Sequence, residues 1–349
     1  MKTKFLIIVV ALMASVVLAG CGLGNKAATS DDKTQIGAIL ALSGPSAIWG
    51  ESVKNGMDLA LEDHPNLAVT YEDSKGAAAD GLTAYQKLKL QKPDVFVTAL
   101  SIVSVPLASL AKEDKIPMVI TQSAANNITN DYAFRYYTDA SHFATPSFES
   151  DISPLKNVKK IAVIYRKDEY AQSVADKIKQ LCDESGKKIV FMESYVPNTT
   201  DFSTIVSKAK DAGPEALLFV PTPPSESLGI LKKIEELKFN IPIVEVSNVQ
   251  SDPETQAKAP KMTFYTNQFA FSIPGNSEQF KTRYKAKYGK EPNFVAAFGF
   301  DIVNLLATCP KDSIESCLTN KKEVSGVTGV AKDITNNDIV IPMYLEKVN

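Results

Sequence analysis

Along most of this chain the spacing of apolar residues switches back and forth between two patterns. From Gln35 onward, short runs rich in Val, Ile, Leu and Phe alternate with longer stretches whose apolar residues recur at i, i+3 and i+4. The short runs predict buried strands at 36–41, 69–72, 95–99, 118–120, 160–165, 189–192, 216–220, 243–246 and 262–266. The longer stretches predict helices at 50–61, 81–90, 104–112, 171–182, 202–212, 227–237, 275–287 and 296–307. Such an alternation predicts parallel sheets flanked by helices, an α/β fold. It restarts at Lys160 after an irregular stretch, 140–157, so two similar lobes are expected rather than one large sheet.

Ahead of this pattern, Lys2 and Lys4 precede an apolar run, 5–19, that ends in Leu18-Ala19-Gly20-Cys21. A short basic start, then an apolar core too short to span a hydrocarbon layer of about 30 Å, predicts a secretory signal. The last four residues resemble the lipobox of bacterial lipoproteins, whose cysteine becomes the acylated first residue, and Cys21 stands there. Residues 1–20 therefore read as a lipoprotein signal peptide and 21–33 as a polar tether, with the mature chain exported and lipid-anchored to the membrane on its extracytoplasmic side. In that oxidising setting Cys309 and Cys317, eight apart around Pro310 and a polar turn, predict a disulfide. Cys182 lies on a helix's apolar stripe and reads as a buried hydrophobe.

The 349 residues are 44% hydrophobic and 22% charged, with 38 basic against 40 acidic side chains. That near balance, with Arg135, Arg166 and Arg283 as the arginines, supplies no basic field for a nucleic acid partner. Two histidines and four scattered cysteines provide no metal-ligand spacing, and no cofactor is expected. In open α/β sheets, ligands bind beyond the carboxyl ends of the strands. The first-lobe loops there, 42–49, 100–103 and 121–127, are rich in Ser, Gly, Asn and Thr and contain no His, Cys, Asp, Glu, Lys or Arg. Gly44-Pro45-Ser46 lacks the glycine spacing of a dinucleotide loop, and no nucleophile has a base beside it. Hydroxyls and helix-start N–H groups predict the holding of a polar solute, not an enzyme's chemistry.

Ile36-Gly37-Ala38-Ile39-Leu40-Ala41-Leu42-Ser43-Gly44-Pro45, followed by Trp49-Gly50 and Asn55-Gly56-Met57-Asp58-Leu59-Ala60, resembles the opening of type I periplasmic solute-binding proteins of the leucine/isoleucine/valine-binding kind. The resemblance continues in order through Ile116-Pro117-Met118, Phe134-Arg135, Ile161-Ala162-Val163-Ile164-Tyr165, Thr200-Asp201-Phe202-Ser203 and Ala296-Ala297-Phe298-Gly299-Phe300-Asp301. It implies two Rossmann-like lobes joined by a three-crossing hinge, with 34–138 and 274–328 in the first lobe and 139–273 and 329–349 in the second. It also implies hinge closure on a small solute and delivery to the permease of an ABC importer, by a protein we read as a monomer. The ligand contacts it implies are Trp49, Ser101, Ile102, Ser123 and Ala124 from the first lobe, with Tyr170, Thr222 and Ser247 from the second. Trp49 and Tyr170 would be aromatic walls, Ser101 would meet a carboxylate just ahead of a helix, and 123–124 would offer backbone groups to an amino-acid head. Phe134-Arg135 reads as a structural lead into the hinge, and His142 either opens a helix or faces the cleft.

Two departures bear on the ligand. Relatives commonly carry threonine two residues beyond Ser123, where Ala125 stands here. They also carry an acid after a second-lobe strand, where Ser247 stands unless a two-residue shift brings in Glu245. Burying an unpaired ammonium costs several kcal/mol, so a small carboxylate or amide lacking an α-ammonium is expected over leucine or valine. The same clamp also suits a sensory lipoprotein that reports ligand occupancy to a membrane receptor.

Overall fold

In the computed structural model, which describes residues 33–251, 253–269, 271, 277–332 and 334–348, β1 (Thr34–Leu40) is buried at every position but one. A parallel strand covered on both faces requires this. Around it stand β2 (Leu67–Asp73), β3 (Val95–Ala99), β4 (Met118–Thr121) and β5 (Ala133–Tyr137), parallel and in the order β2-β1-β3-β4-β5. Helices α1 (Ala47–Ala60), α2 (Ala78–Lys89) and α3 (Ser101–Asp114) link these strands, and α4 (Ala140–Glu149) follows β5 toward the second sheet.

That sheet repeats the design. Its strands are β6 (Lys160–Arg166), β7 (Lys188–Tyr195), β8 (Ala216–Val220), β9 (Ile243–Glu245) and β10 (Phe264–Phe269), again parallel, in the order β7-β6-β8-β9-β10. Between them run α5 (Glu169–Glu184), α6 (Ser203–Asp211), α7 (Pro224–Glu236) and α8 (Pro253–Gln256). Helices α9 (Glu278–Tyr288), α10 (Phe294–Ala307) and α11 (Ile314–Thr319) and the ribbon of β11 (Val324–Gly326) with β12 (Gly329–Ala331) come next. Strands β13 (Ile334–Thr335) and β14 (Asp338–Val340) extend the first sheet beside β5, and β15 (Met343–Val348) extends the second beside β10. The result is a two-lobed α/β protein.

Several sequence expectations need correction. Residues 140–149 of the supposedly irregular stretch form α4: the Asp139 carboxylate accepts the His142 N–H at 2.8 Å and caps it, and Phe143, Ala144 and Ser147 face inward. Pro146 within this helix disguises its periodicity. The unpredicted strand β5 is buried throughout although Arg135 sits at its centre, because the guanidinium pairs with Asp338 on β14. The chain enters the second lobe for the last time after Val340, not at 329, since β13 and β14 belong to the first sheet. The sheets are mixed, with β13 and β15 antiparallel at their edges. The signal peptide, Cys21 and nearly all of the tether lie outside the described residues.

Helix α10 is locked against α1 by glycine. A Cβ on Gly56 would run into the Ala296 carbonyl, and one on Gly299 into the Val53 carbonyl, so the two backbones touch. Asn293 caps α10 by accepting from Ala296 N and also donates to Ser52 Oγ on α1 at 2.9 Å. Cys309 and Cys317 form a disulfide at a Cα separation of 5.7 Å, whereas Cys182 is free and buried. Burial pushes the Cys182 thiol up to about 11, far from a reactive thiolate.

Candidate functional site

The order β2-β1-β3 in one sheet and β7-β6-β8 in the other creates a switch point in each, where neighbouring crossovers leave in opposite directions and open a crevice. One cavity, of about 40 Å³, joins both crevices. Its first-lobe wall is Ser46 and Trp49 after β1, Leu100, Ser101 and Ile102 after β3, and Gln122 after β4. The second-lobe wall is Arg166, Asp168 and Tyr170 after β6, Pro221 and Thr222 after β8, and Asn248 and Val249 after β9. Gly76, Tyr137 and Phe294 complete the lining.

Local geometry aims these side chains. The Asp73 carboxylate accepts from Leu42 N and Ser43 Oγ, at 2.8 and 2.6 Å, and so shapes the turn that delivers Trp49 to the third position of α1. Leu100 and Gln122 hold φ of 71° and 51°. Left-handed backbone costs a non-glycine residue about 1–2 kcal/mol and is tolerated mostly where function constrains the chain. Leu100 thereby ends β3 abruptly, and Ser101 becomes the first residue of α3 rather than a cap on a helix beginning at 104. Its hydroxyl shares a 2.8 Å hydrogen bond with Ser123 Oγ.

The second-lobe wall carries the charge. Arg166 Nη1 donates to Asp168 Oδ2 at 2.7 Å, and Arg166 Nε lies 3.2 Å from Glu226 Oε1 without the alignment of a hydrogen bond. Asp168 also accepts from Ala171 N, capping α5, and from the Thr222 hydroxyl at 3.2 Å. Glu226 takes the Tyr195 hydroxyl at 2.9 Å. Burial pushes both carboxyls above the usual carboxylate range, and Arg166 pulls each back only in part. On the other wall Gln122 is 7% exposed, and its Oε1 has no hydrogen-bond partner among the described residues.

Of the residues named from the sequence, Trp49, Ser101, Ile102, Tyr170 and Thr222 line the cavity. Ser123 and Ala124 sit behind this wall, fully buried, with the Ser123 carbonyl held by Arg135 Nη1 at 3.3 Å. Gln122 reaches the cavity from that loop instead. Ser247 is also displaced: its hydroxyl donates to Glu245 Oε1 at 2.7 Å, away from the lining. Glu245 is itself buried and engaged by Ser227, Thr266 and the Gln250 N–H, so neither alternative reaches the cavity. The acid on this wall is Asp168. A sequence signal for it exists, because Arg166-Lys167-Asp168 directly follows a predicted strand and stands at the cap of a predicted helix. His142 lies in the first turn of α4 with its ring against Asp139, outside the lining.

Comparison with known proteins agrees with this architecture. The family described as periplasmic binding protein matches residues 33–331. The Leu/Ile/Val-binding protein homolog 3 of Brucella melitensis biotype 1 is 28% identical over 220 residues, 60% of this chain and 59% of that protein. Homolog 7 of Brucella suis biovar 1 is 26% identical over 312 residues, 81% and 76% of the two chains. For homolog 3, and for homolog 6 of two Brucella species, the chain spans 58–59% of the relative's length. Among solved structures, the branched-chain amino acid transporter substrate binding protein LivJ from Streptococcus pneumoniae, in complex with isoleucine, superposes with a TM-score of 0.79 at 22% identity, covering 91% of this chain and 96% of that one. A solute binding protein from R. palustris in complex with 4-hydroxybenzoate gives 0.82 at 21% identity, with 91% and 93% covered. At such identities the two structures share the fold, and with the family match across most of its length the chain belongs to the periplasmic binding protein family.

Proposed function

We propose that this protein is an extracytoplasmic solute-binding protein that closes two lobes on one small organic solute and delivers it to an ABC importer. The observation that carries the reading is the single cavity at both topological switch points, lined by Trp49 and Ser101 from one lobe and by Asp168, Tyr170 and Thr222 from the other. A ligand touching both walls stabilises the closed arrangement over an open one, which is the population shift a carrier needs. Cys21, in this reading, bears the lipid that keeps the protein at the membrane, and one chain suffices for the clamp.

Size narrows the solute. A benzene-sized guest occupies a cavity of about 150 Å³, and the closed space here is about 40 Å³. Compact head groups therefore fit between the closed walls, and a branched or aromatic body needs the lobes further apart or the Trp49 indole displaced. The names of the relatives point to branched-chain amino acids and aromatic carboxylates as the classes to test beside smaller ones. A thermal-shift screen against amino acids, aliphatic and aromatic carboxylates and amides tests it, since a solute at 100 times its Kd adds about 2.7 kcal/mol of stability. Stabilisation that disappears in Ser101→Ala supports this site; stabilisation unaltered by both Ser101→Ala and Trp49→Ala removes it.

A further inference from the structure

Tyr137 stands where the chain passes between the lobes. It is the last residue of β5, from which the first crossing leads to α4. Its carbonyl accepts from Ile341 N at 2.6 Å, on the crossing between β14 and β15. Its ring lies 5.2 Å from that of Phe269, the last residue of β10, where the remaining crossing begins. Phe143 of α4 and Phe298 of α10 pack on the same ring, with centroids 5.7 and 5.1 Å away. The hydroxyl accepts from Asn248 Nδ2 at 2.9 Å, and Tyr137 and Asn248 both line the cavity. One residue therefore touches all three crossings and the space offered to a solute.

We infer that Tyr137 is a specificity-determining residue: its phenol is a fixed floor of the cavity and sets the longest solute on which the lobes can close. This rests on the solute-binding reading above and adds the residue that limits solute length. Trp49, Ser101 and Gln122 travel with the first lobe and Asp168, Tyr170 and Thr222 with the second, so a wider closure relieves a solute that overruns either wall. A residue at the pivot stays beside both lobes at every opening. The Tyr137 side chain cannot step aside either, because the residue is 3% exposed and its ring is enclosed by three aromatic neighbours, with Asn248 fixing the hydroxyl. A solute that overruns this floor overpacks the hinge itself and holds both walls apart.

Two homologous series test this by calorimetric titration of the purified protein: glycine, alanine, 2-aminobutyrate, norvaline and norleucine, and the straight-chain acids from acetate to hexanoate. In the wild type, affinity is expected to fall once a series passes a limiting length. Tyr137→Phe keeps the ring with its aromatic neighbours and removes one oxygen, about the room of a methylene. It is expected to shift the affinity ratio between the first solute beyond the limit and the one before it about fourfold toward the longer. Tyr137→Leu opens more room and should shift that ratio at least about tenfold. A merely structural role for Tyr137 would weaken every member alike and leave the ratios alone. If Tyr137→Leu does not fold, the Tyr137→Phe ratio decides. Unchanged ratios, a shift toward the shorter solute, loss of every solute in Tyr137→Phe, or a wild type with no limiting length overturns the inference and leaves the solute-binding reading standing. Silence of the wild type in both series overturns both.

Discussion

The indole Nε1 of Trp49 donates to the carbonyl oxygen of Thr222 at 3.3 Å, joining α1 of the first lobe to the loop after β8 of the second. Both residues line the cavity, and the Trp49 ring packs against that of Phe294 with centroids 6.1 Å apart. Trp49→Phe keeps most of the packing and deletes the donor. A net hydrogen bond is worth about 1 kcal/mol, so solute affinity should fall roughly fivefold with little change in unfolding midpoint. Small-angle scattering of the variant without solute should show a larger radius of gyration; an unchanged radius and affinity would mean that this bond does not hold the lobes.

Gly56→Ala should be among the most damaging single-methyl changes in the protein. The added Cβ meets the Ala296 carbonyl, backbone that cannot step aside without separating α1 from α10. Overpacking of this kind costs about 3 kcal/mol at the upper end of its usual range. Urea denaturation reads the loss directly, and an effect below half that size would show that the two helices can slide apart cheaply.

Burial drives the Asp301 carboxyl up to about 6, even though Thr328, Val327 N and Tyr136 all donate to it. Its ordinary value is 3.8, so the folded protein holds this proton more tightly than the unfolded chain does. Protonation therefore favours folding: the contribution is complete below about pH 4 and is lost as pH rises through about 6, by roughly 3 kcal/mol. The difference in unfolding free energy between wild type and Asp301→Asn should shrink by that amount between pH 4 and pH 7. Parallel curves would place the carboxyl in a better-solvated setting than its burial indicates.

The Cys309–Cys317 bridge closes a short loop between α10 and α11. Loop-closure entropy for that span predicts a loss of about 2–3 kcal/mol when both cysteines become serine. In unfolded, unreduced protein, Cys182 should take a thiol label and neither partner of the bridge should. Labelling of Cys309 or Cys317 would contradict the pairing.

Much of the lobe architecture was legible before any coordinates. Strands β3 and β8 begin and end where apolar runs do, because a buried parallel strand must be apolar at every position. The loops that carry Trp49, Ser101 and Ile102 were also legible, since strand ends mark the crevice of an open sheet, and the family resemblance singled out these residues within them. Strand β5 was not, because Arg135 breaks its apolar run and the partner that permits its burial, Asp338, lies 203 residues away. The same holds for Ser247 and Glu245, turned from the cavity by Ser227 on α7 and Gln250.

What the sequence determined by itself is the alternation that makes two α/β lobes, the strand ends from which a clamp is built, and the family. The first two depend on which face of a local segment meets water, and periodicity records that face; the family shows instead in the order of motifs such as 36–45 and 296–301. Tertiary structure alone decided that Asp168 and Gln122 line one cavity, and that Arg166 is shared between two acids. The balance of charge in a closed cleft depends on which distant groups the lobes bring within a few ångströms, and no local pattern along the chain encodes that distance.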